Sequence, residues 1–191
     1  FSKPLNYIIV TVMVLTIFIC TFFMPEMHID FENRIIGEDI EISEYGFAWP
    51  IPGYNKITSY FGKRNSPTQG ASSYHKGIDI GAPEGTNLIA ITDGEITFLG
   101  FLGAGGYTLT LSFYGFKITY CHISPNFLVS AGDFVSQGQI IANVGPKYVY
   151  GVPGNKYTDS TGRPTNGATT GTHLHLGMRI NDKYVNPLDY F

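Results

Sequence analysis

Gly171-Thr172-His173-Leu174-His175-Leu176, near the end of this 191-residue chain, is the stretch that decides the fold. Its alternation of polar and apolar residues indicates a β-strand with His173 and His175 on one face and the two leucines on the other. One face of the strand therefore presents two imidazoles to a common point. A pair of exposed histidines on a half-buried strand is the alternative interpretation, because this spacing also arises by chance.

The histidines of the chain are clustered. Four of the five lie in three short stretches, and only His28 stands apart; the stretches are His75-Lys76-Gly77-Ile78-Asp79, Tyr120-Cys121-His122 and His173-Leu174-His175. His75 and Asp79 are four residues apart, so a turn that leads into a strand can aim both side chains at one point. Together with His175 they offer two imidazoles and one carboxylate. Three such ligands with a fourth position left open are typical of catalytic zinc.

His122 and His173 are not needed as ligands. Metal-assisted hydrolysis requires a base for the water, and groups that stabilise the oxyanion and protonate the leaving amine. We predict that His122 and His173 fill these roles. A structural or adventitious metal site is the alternative. Cys121 should point opposite to His122 in a regular strand, so we expect it to face the core rather than the metal.

Composition favours a mainly β fold. Charged residues make up 14% of the chain, and 23 glycines and many aromatic residues suit strands joined by tight turns. A net charge of −3 gives no electrostatic reason to expect a nucleic-acid partner. The pattern predicts an antiparallel β-barrel or sandwich whose strands are Ile57–Tyr60, Leu88–Ile91, Glu95–Leu99, Tyr107–Phe113, Phe116–His122, Ile140–Val144 and His173–Ile180.

An apolar segment lies near the N-terminus. Residues Tyr7–Met24 contain no charged side chain and are long enough, at about 1.5 Å per residue, to nearly cross a bilayer core. We predict one transmembrane helix within residues 1–24, with a cleaved signal peptide and a buried helix as the alternatives. Lys3 precedes the segment and acidic residues follow it, which places the remainder of the chain outside the cytoplasm.

Three regions follow from these patterns: an anchor at 1–24, an acidic linker at 25–48 and a folded domain at 49–191 that begins with Trp49. Cys20 and Cys121 lie in regions too different to form a disulfide. Residues Pro146–Thr170, rich in Gly, Pro, Asn and Thr, form a long loop directly before the two-histidine strand, which points to a role beside the site.

The arrangement His75-x-x-x-Asp79, Tyr120-x-His122 and His173-x-His175 resembles the lysostaphin/LytM-type zinc endopeptidases. The resemblance covers roughly residues 49–191. It extends to further stretches of the chain: Ser59-Tyr60-Phe61-Gly62-Lys63-Arg64, Gly85 to Ile96, Ser130 to Ile141 and Val185-Asn186-Pro187. The Pro146–Thr170 loop is longer than the usual connection in that family, and Thr172 replaces a proline often found there.

The resemblance implies a narrow groove in an antiparallel β domain, with one Zn²⁺ on His75, Asp79 and His175. It implies that His122 and His173 are catalytic, and it makes Tyr74 a candidate for the family's oxyanion-stabilising tyrosine. The expected activity is hydrolysis of amide bonds in peptidoglycan stem peptides or cross-bridges by a domain held outside the bacterial cell membrane by a single span. The alternative is an envelope scaffold of the same fold, in a sporulation, division, conjugation or secretion complex.

Overall fold

The fold is known from a computed structural model that describes residues 40–191. Twelve strands are found in this part of the chain. They are β1 (Ile57–Ser59), β2 (Gly62–Lys63), β3 (Tyr74–His75), β4 (Gly77–Gly81), β5 (Asn87–Ile89), β6 (Gly94–Phe101), β7 (Tyr107–Phe113), β8 (Phe116–Cys121), β9 (Phe134–Val135), β10 (Ile140–Asn143), β11 (His173–Ile180) and β12 (Lys183–Val185). Two short 3-10 helices complete the described elements, at Gly103–Gly105 and Pro187–Asp189.

One antiparallel sheet carries the fold. Its strands lie in the order β1-β4-β11-β8-β7-β6-β9, and β12 forms a hairpin with β11. Two smaller ladders, β5 with β10 and β2 with β3, lie beside it. The prediction of a mainly β, antiparallel domain is confirmed. The predicted strands Tyr107–Phe113 and His173–Ile180 have the observed bounds.

The β11 strand divides its side chains between two faces, as its sequence predicts. Leu174, Leu176 and Met178 are fully buried in the hydrophobic core. The alternate residues of the strand lie on the opposite face, where His175 faces Asp79 of β4 across the ladder. Burial of the leucines therefore determines which face of the strand carries the histidines. A shift of the strand pairing by one residue would place the leucines on that face instead.

The folded domain includes residues before Trp49. Sequence composition assigned residues 25–48 to a linker, but Phe47 and Ala48 are buried in the core. The Ala48 amide donates to the carbonyl of Ile91 at 2.8 Å, and the Phe47 ring packs against Phe116 with 5.6 Å between ring centroids. The sequence pattern did not identify these two residues as core residues, because two apolar side chains at the end of an acidic stretch are too few to show the hydrophobic period of a helix or strand.

The loop at 146–170 is folded. Isolated bridges join Tyr148 to Thr165 and Thr158 to Pro164. The carboxylate of Asp159 accepts hydrogen bonds from the Tyr148 hydroxyl, the backbone and side chain of Thr161, and the Arg163 guanidinium. These polar contacts hold the middle of the loop in a defined conformation.

The predicted span at Tyr7–Met24 and most of the acidic linker lie outside the described residues. Among residues 40–191, no helix has the length and apolar character needed to cross a membrane.

Candidate functional site

Three strands bring the candidate ligands together. Asp79 on β4 is the direct cross-strand partner of His175 on β11, so both side chains leave the same face of the sheet. His75 lies at the end of β3, separated from β4 by Lys76 alone, and its side chain is buried. Residues that are 100 positions apart in the sequence thus meet at one point.

The ligand atoms form a small triangle. His75 Nε2 lies 2.9 Å from His175 Nδ1 and 3.1 Å from Asp79 Oδ1, and His175 Nδ1 lies 2.9 Å from Asp79 Oδ1. Tetrahedral zinc, with bonds of about 2.0–2.1 Å, keeps its ligand atoms just over about 3 Å apart. The spacing and the donor set of two imidazoles and a carboxylate therefore fit a zinc ion that keeps an open position.

Contacts behind the triangle orient two of the ligands. The Nδ1 atom of His75 lies 2.9 Å from the Tyr60 carbonyl and donates to it, which leaves the lone pair on Nε2 facing the centre. Arg64 donates to Asp79 Oδ2 at 3.1 Å and also to the Ser59 hydroxyl, so Oδ1 is free for the centre. Hydrogen bonds of this kind, made to residues outside the triangle, fix the orientation of a metal-binding side chain.

The electrostatics of the triangle favour the metal-binding forms of its side chains. Burial raises the pKa of Asp79, but its close polar contacts with His175 and His75 outweigh burial, so that the net pKa lies well below the usual range. Burial lowers the pKa of His175, although Asp79 opposes the shift. An ionised carboxylate and a neutral imidazole are the forms that bind zinc.

His122 and His173 lie beside the triangle. His173 donates through Nδ1 to the Gly171 carbonyl at 2.9 Å, and its Nε2 is 3.6 Å from Asp79 Oδ1. His122 donates through Nδ1 to the Asn166 carbonyl at 2.7 Å, and its ring centroid is 4.7 Å from that of His173. Both histidines therefore keep Nε2 free. Burial, followed by the nearby histidine charges, lowers the pKa of His122 to about 3.

The prediction that Cys121 faces the core is wrong. Cys121 is the cross-strand partner of His175 and lines the groove, whereas Tyr120 points into the core and bonds Ile89 and Ile91 through its hydroxyl. Strand alternation ends at this point, because His122 has a left-handed backbone with φ of 60°. Two consecutive side chains therefore reach the site. Burial raises the pKa of the Cys121 thiol to about 12, so it stays protonated.

The five predicted site residues line one open groove with a cavity volume of about 630 Å³. The structure thus brings together every candidate named from the sequence. Tyr74, 44% exposed, lines the same groove and packs edge-on against Phe61. Tyr184 lines it from β12, and Ala168 from the 146–170 loop.

Sequence reasoning missed two residues that support the site. Arg64 lies in a stretch that was quoted for its resemblance alone, and nothing in that stretch identifies its partner as Asp79. Asn166 lies in the long loop and is fully buried. The signal that could have found it is Asn166-Gly167 itself, a turn dipeptide placed a few residues before a histidine strand.

Comparison with protein families finds one matching model, described as Peptidase family M23, over residues 73–187. A DD-carboxypeptidase/endopeptidase Mpg of Neisseria meningitidis serogroup B is 37% identical over 160 residues, which is 83% of this chain and 31% of that protein. Murein hydrolase activator NlpD of Escherichia coli (strain K12) is 30% identical over 146 residues, which is 75% of this chain and 31% of the relative. The chain spans about a third of the length of the curated relatives it matches.

Two solved structures extend the comparison. A zinc-containing peptidase from Vibrio cholerae shares 26% identity at a TM-score of 0.57, over 77% of this chain and 39% of that chain. The catalytic domain of lysostaphin from Staphylococcus simulans shares 25% identity at a TM-score of 0.55, over 71% of this chain and 90% of that chain.

Proposed function

Because the chain belongs to peptidase family M23, we propose that it is a zinc endopeptidase that hydrolyses an amide bond in the peptide part of peptidoglycan. The observation that carries the proposal is the triangle of His75 Nε2, Asp79 Oδ1 and His175 Nδ1, with all edges between 2.9 and 3.1 Å. A triangle of this size, with two further imidazoles beside it, fits catalysis better than a closed structural site.

The mechanism assigns a task to each side chain. His75, Asp79 and His175 would hold the zinc ion, which when bound polarises the scissile carbonyl and lowers the pKa of a water molecule. His122 accepts a proton at Nε2, while its Nδ1–H stays on the Asn166 carbonyl. His173, when it carries a second proton on Nε2 beside the Nδ1–H on the Gly171 carbonyl, stabilises the oxyanion and delivers the Nε2 proton to the leaving amine.

The substrate class and the location belong to the same proposal. Two relatives, named DD-carboxypeptidase/endopeptidase and murein hydrolase activator, support a target in the cell wall. The apolar segment Tyr7–Met24 supports anchoring in the cell membrane with the domain on the outer side. A cell-wall substrate requires that side.

The test is to incubate the purified zinc-loaded protein with peptidoglycan sacculi and to identify released fragments by mass spectrometry. We expect release by the wild type and none by His122→Ala, and the fragment masses identify the bond that is cut. Absence of release from several peptidoglycan types, with zinc bound and the protein folded, would contradict the proposal.

The second candidate function is a scaffold or activator in an envelope complex. The similarity to NlpD, named a murein hydrolase activator, favours it. The presence of all five site residues in one groove favours the enzyme instead, because an activator does not need them. Cell-wall cleavage by a partner enzyme that is stimulated equally by wild type and by His122→Ala would support the scaffold.

A further inference from the structure

The groove continues past the metal triangle along the face of β11 as far as Gly177, and Arg179 follows on the same face beyond it. His173, His175, Gly177 and Arg179 alternate with the core residues of that strand and therefore share this face. On β8 the residues opposite the last two are Thr119 and Lys117. At about 3.3 Å per residue, Arg179 lies roughly 13 Å along the strand from His175.

Small residues form the floor between these two points. Gly77 on β4 pairs with Gly177 on β11, so two glycines lie side by side next to the triangle. Thr119 borders Gly177 on the other side. The His175 ring lies against both glycines, so an extended peptide that runs from the triangle toward Arg179 would pass over this ring and over the small residues beside it.

Positive side chains gather at the far end. The Lys76 ammonium lies 4.8 Å from the centre of the Tyr184 ring, and the Arg179 guanidinium carbon lies 5.5 Å from the same centre. Lys76 and Tyr184 line the groove. Both cations therefore lie within reach of one aromatic ring, and this contact leaves their N–H donors available.

Neither of these two cations forms an ion pair within residues 40–191, although Asp182, the partner of Lys117, lies near enough to Arg179 to interact with its charge. Among residues 40–191, neither Lys76 nor Arg179 has a carboxylate within 4 Å, whereas Lys117 pairs with Asp182 at 2.8 Å. Arg179 Nε is buried and has no hydrogen-bond partner within the same residues. Asp79, the one carboxylate that lines the groove, belongs to the triangle. The far end therefore carries excess positive charge.

We propose that this end of the groove is a subsite for a carboxylate of the substrate peptide, bound by Lys76 and Arg179 beside Tyr184. The guanidinium fork matches a carboxylate, and the ammonium supplies a second charged donor. The subsite rests on the proposed function and narrows it to peptides with a free acidic group about two to four residues from the cleaved bond. Either an acidic side chain or a free C-terminal carboxylate supplies this group.

Binding measurements test the subsite separately from turnover. The probes are peptidoglycan stem peptides in three forms: unmodified, amidated only at the acidic side chain, and amidated only at the C-terminus. Calorimetry with zinc-loaded His122→Ala protein gives each dissociation constant without hydrolysis. We expect one amidated form to bind at least about tenfold more weakly than the unmodified peptide, and that form identifies the source of the carboxylate.

Variants localise the effect. Lys76→Gln and Arg179→Gln, each in the same background, should remove the preference for the carboxylate, and Arg179→Lys should retain part of it. Lys183→Gln is the matched control, because Lys183 is an exposed cation next to Tyr184 that does not contact its ring. Equal binding of all three peptides, or a preference that survives in both glutamine variants, would overturn the proposal. A preference without hydrolysis by the wild type would leave the subsite standing and reject the peptidase.

Discussion

The Nδ1–H of His122 donates to the backbone carbonyl of Asn166 at 2.7 Å, which ties a candidate catalytic histidine to the long loop. The Asn166 side chain in turn accepts from the Tyr107 amide at 2.8 Å and donates to the Ile123 carbonyl at 3.0 Å. One fully buried asparagine thus connects the loop, β7 and the end of β8. The orientation of the His122 ring depends on this connection.

Replacement of Asn166 by alanine should destabilise the domain and slow turnover. The change leaves the Tyr107 amide and the Ile123 carbonyl without partners, which costs about 2–4 kcal/mol in free energy of unfolding. Zinc content should stay at one per chain, because the triangle is not touched. Urea denaturation measures the free energy of unfolding, metal analysis measures the zinc content, and activity assays measure the turnover rate. Asn155→Ala removes the bonds to the Thr165 carbonyl and the Tyr157 amide from a less buried residue of the loop, and it is the control with a smaller loss.

Gly106 provides an independent test of the same connection. A Cβ atom there would collide with the backbone and side-chain oxygens of Asn166, and the Gly106 backbone is left-handed with φ of 65°. We expect Gly106→Ala to be at least as destabilising as Asn166→Ala. Unaltered stability of Gly106→Ala would show that the loop can move without cost.

Four of the site residues should separate into two groups. His75→Ala and Asp79→Ala remove a ligand and should lose zinc, whereas His122→Ala and His173→Ala should keep zinc and lose about 100-fold or more in kcat. Metal analysis beside kinetics distinguishes the groups. Substantial activity of His122→Ala would contradict its assigned role.

Arg64 should tune the metal affinity. Arg64→Gln removes the guanidinium that holds Asp79 Oδ2, so we expect about 10–100-fold weaker zinc binding in a chelator competition. Lys63→Gln is the control, because Lys63 is an exposed neighbour with no contact to Asp79 among the described residues. Zinc affinity equal to that of the wild type in Arg64→Gln would show that the ladder alone positions Asp79.

The loop should respond to pH through Asp159. The Thr161 hydroxyl, together with Tyr148 and Arg163, holds the pKa of Asp159 below its usual value. A carboxyl with a lowered pKa stabilises the fold above its unfolded pKa of about 3.9, and this contribution is lost as the pH falls through the folded value. The Tm difference between wild type and Asp159→Asn should therefore be largest above pH 5 and shrink toward pH 2. Glu84→Gln, which removes an exposed acid outside the loop, is the control variant.

Seven of the twelve strands were predicted from local patterns, and the five candidate site residues lie together in the groove, but β2, β3, β4, β9 and β12 were not predicted because they are short or carry many glycines. The alternation of polar and apolar residues in His173–Ile180 determines which side chains share one face of the strand. The shared face of β4 and β11 then determines which side chains meet at the site. Cys121 was misplaced because alternation alone cannot reveal the left-handed backbone of His122. Arg64 and Asn166 act through partners distant in sequence, and no local pattern predicts a tertiary contact of this kind.

The paired glycines of the groove floor differ in what they tolerate. A Cβ at Gly77 would lie 2.3 Å from the Leu176 carbonyl oxygen and 2.9 Å from the His175 ring, whereas at Gly177 the nearest atom would lie 3.4 Å away. A side chain at Gly77 is therefore incompatible with the metal triangle, and this glycine cannot be replaced during evolution while the triangle is retained. At Gly177, by contrast, a single base change can introduce a small side chain that narrows the groove floor without unfolding the protein. Proteins with different substrate ranges can arise in this way.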